Sequence, residues 1–130
     1  MSIFTETLES GGGTFDIVTL DAAALPSGYV VALEGRGEII PADLSQPSRD
    51  AFYAYFWDAQ QQAAAAPSEW DTRYVGTWVH EGKIYLDIVE HYTDRAYAIG
   101  CGQVNNQIAI WDVANGCEIP TGGTGEVVAA

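Results

Sequence analysis

Val75-Gly-Thr-Trp-Val-His-Glu-Gly-Lys-Ile-Tyr-Leu-Asp-Ile-Val-Glu90 is the stretch that decides the fold. Two runs of strand-forming residues flank Glu81-Gly82, and a two-residue joint of this kind is a strong short-range signal for a β-hairpin. The reading is strands at 75–80 and 83–90. Side chains alternate across a strand, so Ile84, Leu86 and Ile88 share one face, joined by Ile108 and Ile110 from a later strand. That face should meet helices. The opposite parity carries Tyr85, Asp87 and Trp111, together with Trp78 and His80 if Val75 and Val79 point inward. This second face is aromatic, polar and acidic at once. It is either covered by the N-terminal segment and a first hairpin, or open to bind a partner.

On the N-terminal side, Phe52, Tyr55, Phe56 and Ala59 recur at spacings of three and four. They predict a long helix over 49–65, capped by Ser48 and stopped before Pro67. The β-rich runs 29–33 and 38–40, separated by Glu34-Gly-Arg-Gly37, predict a first hairpin. Residues 14–20 are strand-like, and 21–25 fit one helical turn capped by Asp21 ahead of Pro26-Ser-Gly28. Gly11-Gly-Gly13 lacks a following Gly-Lys-Ser/Thr, so it reads as a joint and not a phosphate loop.

On the C-terminal side, Thr93 is the expected cap of a short helix over 94–103, with Ala96, Ile99 and Gly100 facing a sheet. Asn105-Asn106 ends it. A strand over 107–113 turns at Asn115-Gly116 into a short strand at 117–119. The fold class is α+β: a single small domain, an antiparallel-rich sheet built from hairpins with one long and one short helix, a ββαββαβ-like core. The domain spans 14–120. Residues 1–13 form an N-terminal segment combining a strand and a Gly linker, and 121–130 a flexible Gly-rich tail.

The chain has 130 residues, 18 Asp and Glu against five Lys and Arg, and a formal net charge of −13. The acidic residues run from Glu6 to Glu126 through otherwise apolar and aromatic segments, so the folded surface is negative. Such a surface repels nucleic acid, anionic lipid and phosphate ligands. Hydrophobic residues at 48% and aromatics at 12% supply a core, which excludes wholesale disorder. Residues 1–10 contain neither a basic stretch nor an apolar run long enough for a signal or a membrane span, so a soluble, unprocessed chain is expected. Cys101 and Cys117 are too few for a disulfide framework; they read as small buried hydrophobes in a reduced, cytoplasmic setting.

No stretch carries a catalytic motif. His80-Glu81 and His91 match no compact zinc spacing. Asp87, Glu90 and Asp112 could form a carboxylate pair for acid–base work, but neighbouring carboxylates arise by chance in so acidic a chain. No catalytic residue, metal ligand or cofactor site is assigned. Tyr53 and Trp57, four apart, form a second stripe on the long helix that must meet another element, a second subunit or a partner. The candidate partner-binding residues are therefore Tyr53, Trp57, Trp78, Tyr85, Asp87, Trp111 and Asp112.

Residues 74–89, continuing into 106–116 and 118–122, together with Gly28-Tyr-Val-Val-Ala32, resemble small uncharacterised acidic proteins of actinobacterial phages and mobile elements. The resemblance covers about the last hundred residues. It implies a genetic context and transfers no catalytic residue. In that context a negative folded surface suits a non-enzymatic protein-binding module, a phage accessory protein that inhibits or modulates a host nucleic-acid-handling or defence protein. The expected partner is a host protein with a basic surface, met in the host cytoplasm, with neither nucleic acid nor membrane bound directly. The alternative is a structural or assembly protein of the phage particle that self-associates into a homo-oligomer and resides in the virion.

Overall fold

A computed structural model of the chain describes residues 2–33 and 35–125. The elements run α1 (Ile3–Ser10), β1 (Gly12–Phe15), β2 (Tyr29–Ala32), β3 (Glu38–Pro41), α2 (Gln46–Ala65), α3 (Pro67–Trp70), β4 (Arg73–His80), β5 (Lys83–Tyr92), α4 (Arg95–Val104), β6 (Ala109–Asp112) and β7 (Cys117–Pro120). The strands form one antiparallel sheet in the order β1-β4-β5-β2-β6-β7, with β3 also on β5. This is a small single-domain α+β fold, as the alternating hydrophobic patterns predict.

The β4–β5 hairpin is the centre of the sheet, in register from Arg73 opposite Glu90 to His80 opposite Lys83. Its joint works because Glu81 and Gly82 both adopt positive φ, 51° and 76°, which matches the twist of the flanking strands. Ile84, Leu86 and Ile88 are buried under α1 and α2 with Phe4, Phe52, Phe56 and Val75. On the same face, α4 buries Ala98 against Val31 and Ile110. Asn115-Gly116 turns β6 back into β7 as predicted, with Gly116 at φ 60°. Ile108 precedes β6 and packs beside Gly125 instead of joining the Ile84 face.

The first hairpin does not form. β2 and β3 never pair with each other; both lie antiparallel on β5, Ala32 opposite Val89 and Glu38 opposite Leu86. Six residue steps on one strand face three on the other, so the run is one interrupted strand with a wide bulge. The long β5 offers a continuous row of backbone partners, which outweighs a local turn.

The N-terminal segment also departs from expectation. Residues 3–10 are helical, capped by Ser2, whose side chain accepts from the Thr5 amide, and closed by Gly11 in the left-handed region at φ 90°. Gly12 and Gly13 are not a joint but part of β1, opposite Trp78 and Thr77. A Cβ at Gly12 would overlap the Thr77 carbonyl, so close approach of two backbones is the reason for glycine there. The strand ends at Phe15, because the Asp16 carboxylate accepts from the Val18 and Thr19 amides at 2.9 Å and turns the chain. Ala22 then bridges back to Phe15, so 21–25 is extended where a helical turn was expected.

Helix caps shift by a residue or three. Ser45, not Ser48, caps α2, its side chain accepting from the Ser48 amide, and Pro47 sits in the first turn where its missing N–H costs nothing. Asp94, not Thr93, caps α4 by accepting from the Tyr97 amide at 3.0 Å. The face of α4 that meets the sheet is Ala98 and Gly102 with Ile99 beside them. Residues 121–125 are docked, not a free tail: Thr121 N–H bonds Ile108 O at 2.9 Å and Gly123 N–H bonds Gln107 O at 2.9 Å. The rest of the predicted tail, 126–130, lies outside the described residues.

Candidate functional site

The sheet face turned away from the helices is concave. The Trp78 indole on β4 donates to Glu118 Oε1 on β7 at 2.7 Å, although β5, β2 and β6 lie between those strands. Four strand spacings on a flat sheet would separate them by about 19 Å. The sheet therefore curls until β4 and β7 meet across its hollow, forming a cleft of about 480 Å³.

Strand parity decides what lines it. Trp78 lies opposite Tyr85, and Gly76 opposite Asp87; Trp111 lies opposite both Val30 and Glu118. The cleft wall is thus Trp78, Asp87, Val89, Trp111 and Glu118, with the backbone of Gly11–Gly13 at one end. His80 stacks on Trp78 with centroids 4.6 Å apart, and Tyr85 packs on the same ring at 5.5 Å. Trp111 keeps 41% of its surface exposed, so its indole is the open aromatic face of the cleft.

Asp87 is the unusual group. Its neighbours across both edges of β5 are glycines. Gly76 faces it on β4, and a Cβ on Gly37 in the bulge would stand 2.6 Å from its Oδ1. Walled in by backbone, the carboxyl is desolvated, and that burial pushes its pKa up to about 7. Among the described residues no hydrogen bond or ion pair reaches it. Tyr55 of α2 reaches the same bulge and donates to the Arg36 carbonyl. Burial raises the Tyr55 phenol well above its usual range, helped by the negative charge of Asp87 and Glu38.

The seven residues singled out from the sequence divide four and three. Trp78, Tyr85, Asp87 and Trp111 come together on the concave side. Asp112 does not join them: it is 3% exposed on the helix-bearing face, where it accepts from the Asn115 backbone and side chain that form the β6–β7 turn. Tyr53 faces inward as well, its ring edge-on to Phe52 at 5.3 Å and its oxygen accepting from the Phe4 amide at 3.4 Å. The element that its stripe needed is α1. Trp57, 60% exposed on α2, stands apart from the cleft.

Glu118 was missed. Its signal was the Asn115-Gly116 turn, which sets Glu118 opposite Trp111 and hence on the same face. The suggested carboxylate pair is split, since Glu90 lies opposite Val31 and shares the helix-bearing face with Asp112 while Asp87 faces the cleft. His91 bonds the Ser27 carbonyl oxygen at 2.6 Å. Cys101 is partly buried, but Cys117 begins the edge strand β7 and is exposed, contrary to the buried reading; both are free thiols. Among the described residues no three His, Cys, Asp or Glu side chains gather in a metal-binding group, and no helix is long and apolar enough to cross a membrane.

Compared with family models, curated proteins and solved structures, the chain matches none. The reading of the site rests on its geometry. The arrangement offers aromatic surface, two carboxylates and exposed backbone in one hollow, the composition of a recognition site for a positively charged group.

Proposed function

We propose that the chain is a non-enzymatic protein-binding module, a phage accessory protein that inhibits or modulates a host nucleic-acid-handling or defence protein through an acidic, aromatic surface. The observation that carries this reading is the concave face. It gathers Trp78, Asp87, Trp111 and Glu118 in one cleft, with Tyr85 packed on the Trp78 ring, in a chain whose net charge is −13. Aromatic side chains supply the anchors of protein interfaces and charges the rim. The phage setting rests on the resemblance of residues 28–32, 74–89, 106–116 and 118–122. Long-range attraction to a basic partner gives a fast, salt-sensitive association.

The test is an affinity capture from an actinobacterial lysate with wild type and Trp111→Ala side by side, eluted by a salt gradient. The expected result is one basic host protein, released by moderate salt and missing from the Trp111→Ala capture. Equal recovery by both forms refutes binding through this face.

The exposed Trp57 on α2 favours a second reading, a structural or assembly protein that self-associates through that helix. Sedimentation separates the two. An oligomer dispersed by Trp57→Ala supports assembly, whereas a monomer that enlarges only with added target supports the module.

A further inference from the structure

The cleft contains a carboxylate without a counterpart. Asp87 lies between Gly76 and Gly37 on the cleft wall, is partly buried there, and has no cation against it among the described residues. A charge held so is costly unless something pairs with it. The other acid of the cleft is already engaged, since Glu118 accepts the Trp78 indole N–H. One face of Trp78 is likewise occupied by His80. What remains open is the Asp87 carboxyl and the exposed indole of Trp111.

An apolar occupant would leave Asp87 charged and dry. An anion would meet repulsion from Asp87, Glu118 and the whole chain. A divalent metal needs several oxygen ligands, and the described residues bring no such group to the cleft. A single organic cation gains from every feature present: an ion pair with Asp87, contact with an indole face, and a negative field that draws it in.

We propose that the cleft takes one cationic side chain of the partner protein, an arginine or lysine whose charge meets Asp87 and whose apolar stem lies along Trp111. This rests on the protein-binding reading of the same cleft and deepens it, because it names the group that the partner must present. Gly37 leaves room for the Asp87 carboxyl itself, whose Oδ1 would stand 2.6 Å from a Cβ there, and the Trp78–Glu118 bond holds the far wall in place.

The test is a titration of the ¹⁵N-labelled full chain with N-acetyl-arginine amide, N-acetyl-lysine amide and, as the uncharged control, N-acetyl-leucine amide. Saturable shifts are expected at the Gly76 amide and at the Trp78 and Trp111 indole signals with the cationic probes alone. Asp87→Asn should weaken that binding by about tenfold or more, the loss of one charge-assisted contact. Trp111→Ala, a change at an exposed position, should weaken it too and covers the case in which Asp87→Asn fails to fold. Equal shifts from the leucine probe, undiminished affinity in both variants, or no saturable shift in the cleft overturns the inference. If Trp111→Ala abolishes capture of the host protein while Asp87→Asn keeps full probe affinity, the cationic pocket falls and the binding module stands. If the probes bind as described but capture never depends on Trp111, the module falls and the pocket stands.

Discussion

A single carboxyl group links the stability of this protein to the cleft on its concave face. The Asp87 pKa lies at about 7 in the fold, against an ordinary value near 3.8 in the unfolded chain, because burial disfavours the charged form. Below about pH 4 both states hold the proton and the group is silent. Between about 4 and 7 the folded state binds more protons than the unfolded one, so stability falls as pH rises, by up to about 1.4 kcal/mol per unit from this group. Asp87→Asn removes that charge, so the variant should be more stable than wild type at pH 8, with the gap vanishing near pH 4. Urea denaturation at both pH values measures it. A variant less stable than wild type at pH 8 would mean that the ionised carboxylate has found a stabilising partner. The position of Asp87 on the aromatic face was legible from alternation alone. Its desolvation was not, since Gly37 is brought against it by a bulge whose pairing depends on a distant strand.

At the scale of elements, α1 shows what local reading loses. Eight residues are too few to hold a helix in isolation. The fold stabilises it by burying Phe4 edge-on to Phe52 at 5.2 Å and by bonding the Thr7 hydroxyl to that of Thr77 at 3.0 Å. Phe4→Ala should therefore cost about 3–5 kcal/mol, the usual penalty for emptying a buried phenylalanine site. Chemical denaturation reads it directly, and a loss under about 1 kcal/mol would show α1 to be a loosely docked arm. The long helix α2 and the β4–β5 hairpin were legible because their periodicities extend over many residues and their stop signals are local. The pairing of β2 and β3 was not. A tight turn and a long neighbouring strand compete for the same backbone groups, and composition does not say which wins.

For the whole molecule, charge and curvature act together. Self-repulsion of 13 net negative charges opposes compaction. Raising salt from 0.01 to 0.1 M shortens the screening length from about 30 to about 10 Å. The thermal midpoint at pH 7.5 should rise over that range, and a midpoint that falls would indicate that attractive pairs outweigh the repulsion. Ion pairs are few: among the described residues Arg36 and Arg73 share Glu69, at 4.0 and 3.6 Å, and Arg95 lies 3.9 Å from Asp112. The sign of the surface, the α+β class, the central hairpin and the aromatic, acidic parity of its outer face all follow from information carried within short stretches of chain, namely composition, period and turn chemistry. The single interrupted strand along β5, the docking of α1 beside Tyr53, the burial of Asp112, and the curl that brings Trp78 onto Glu118 belong to tertiary packing. They depend on residues far apart in sequence competing for the same backbone partners and the same buried space, and no local pattern encodes the outcome of that competition.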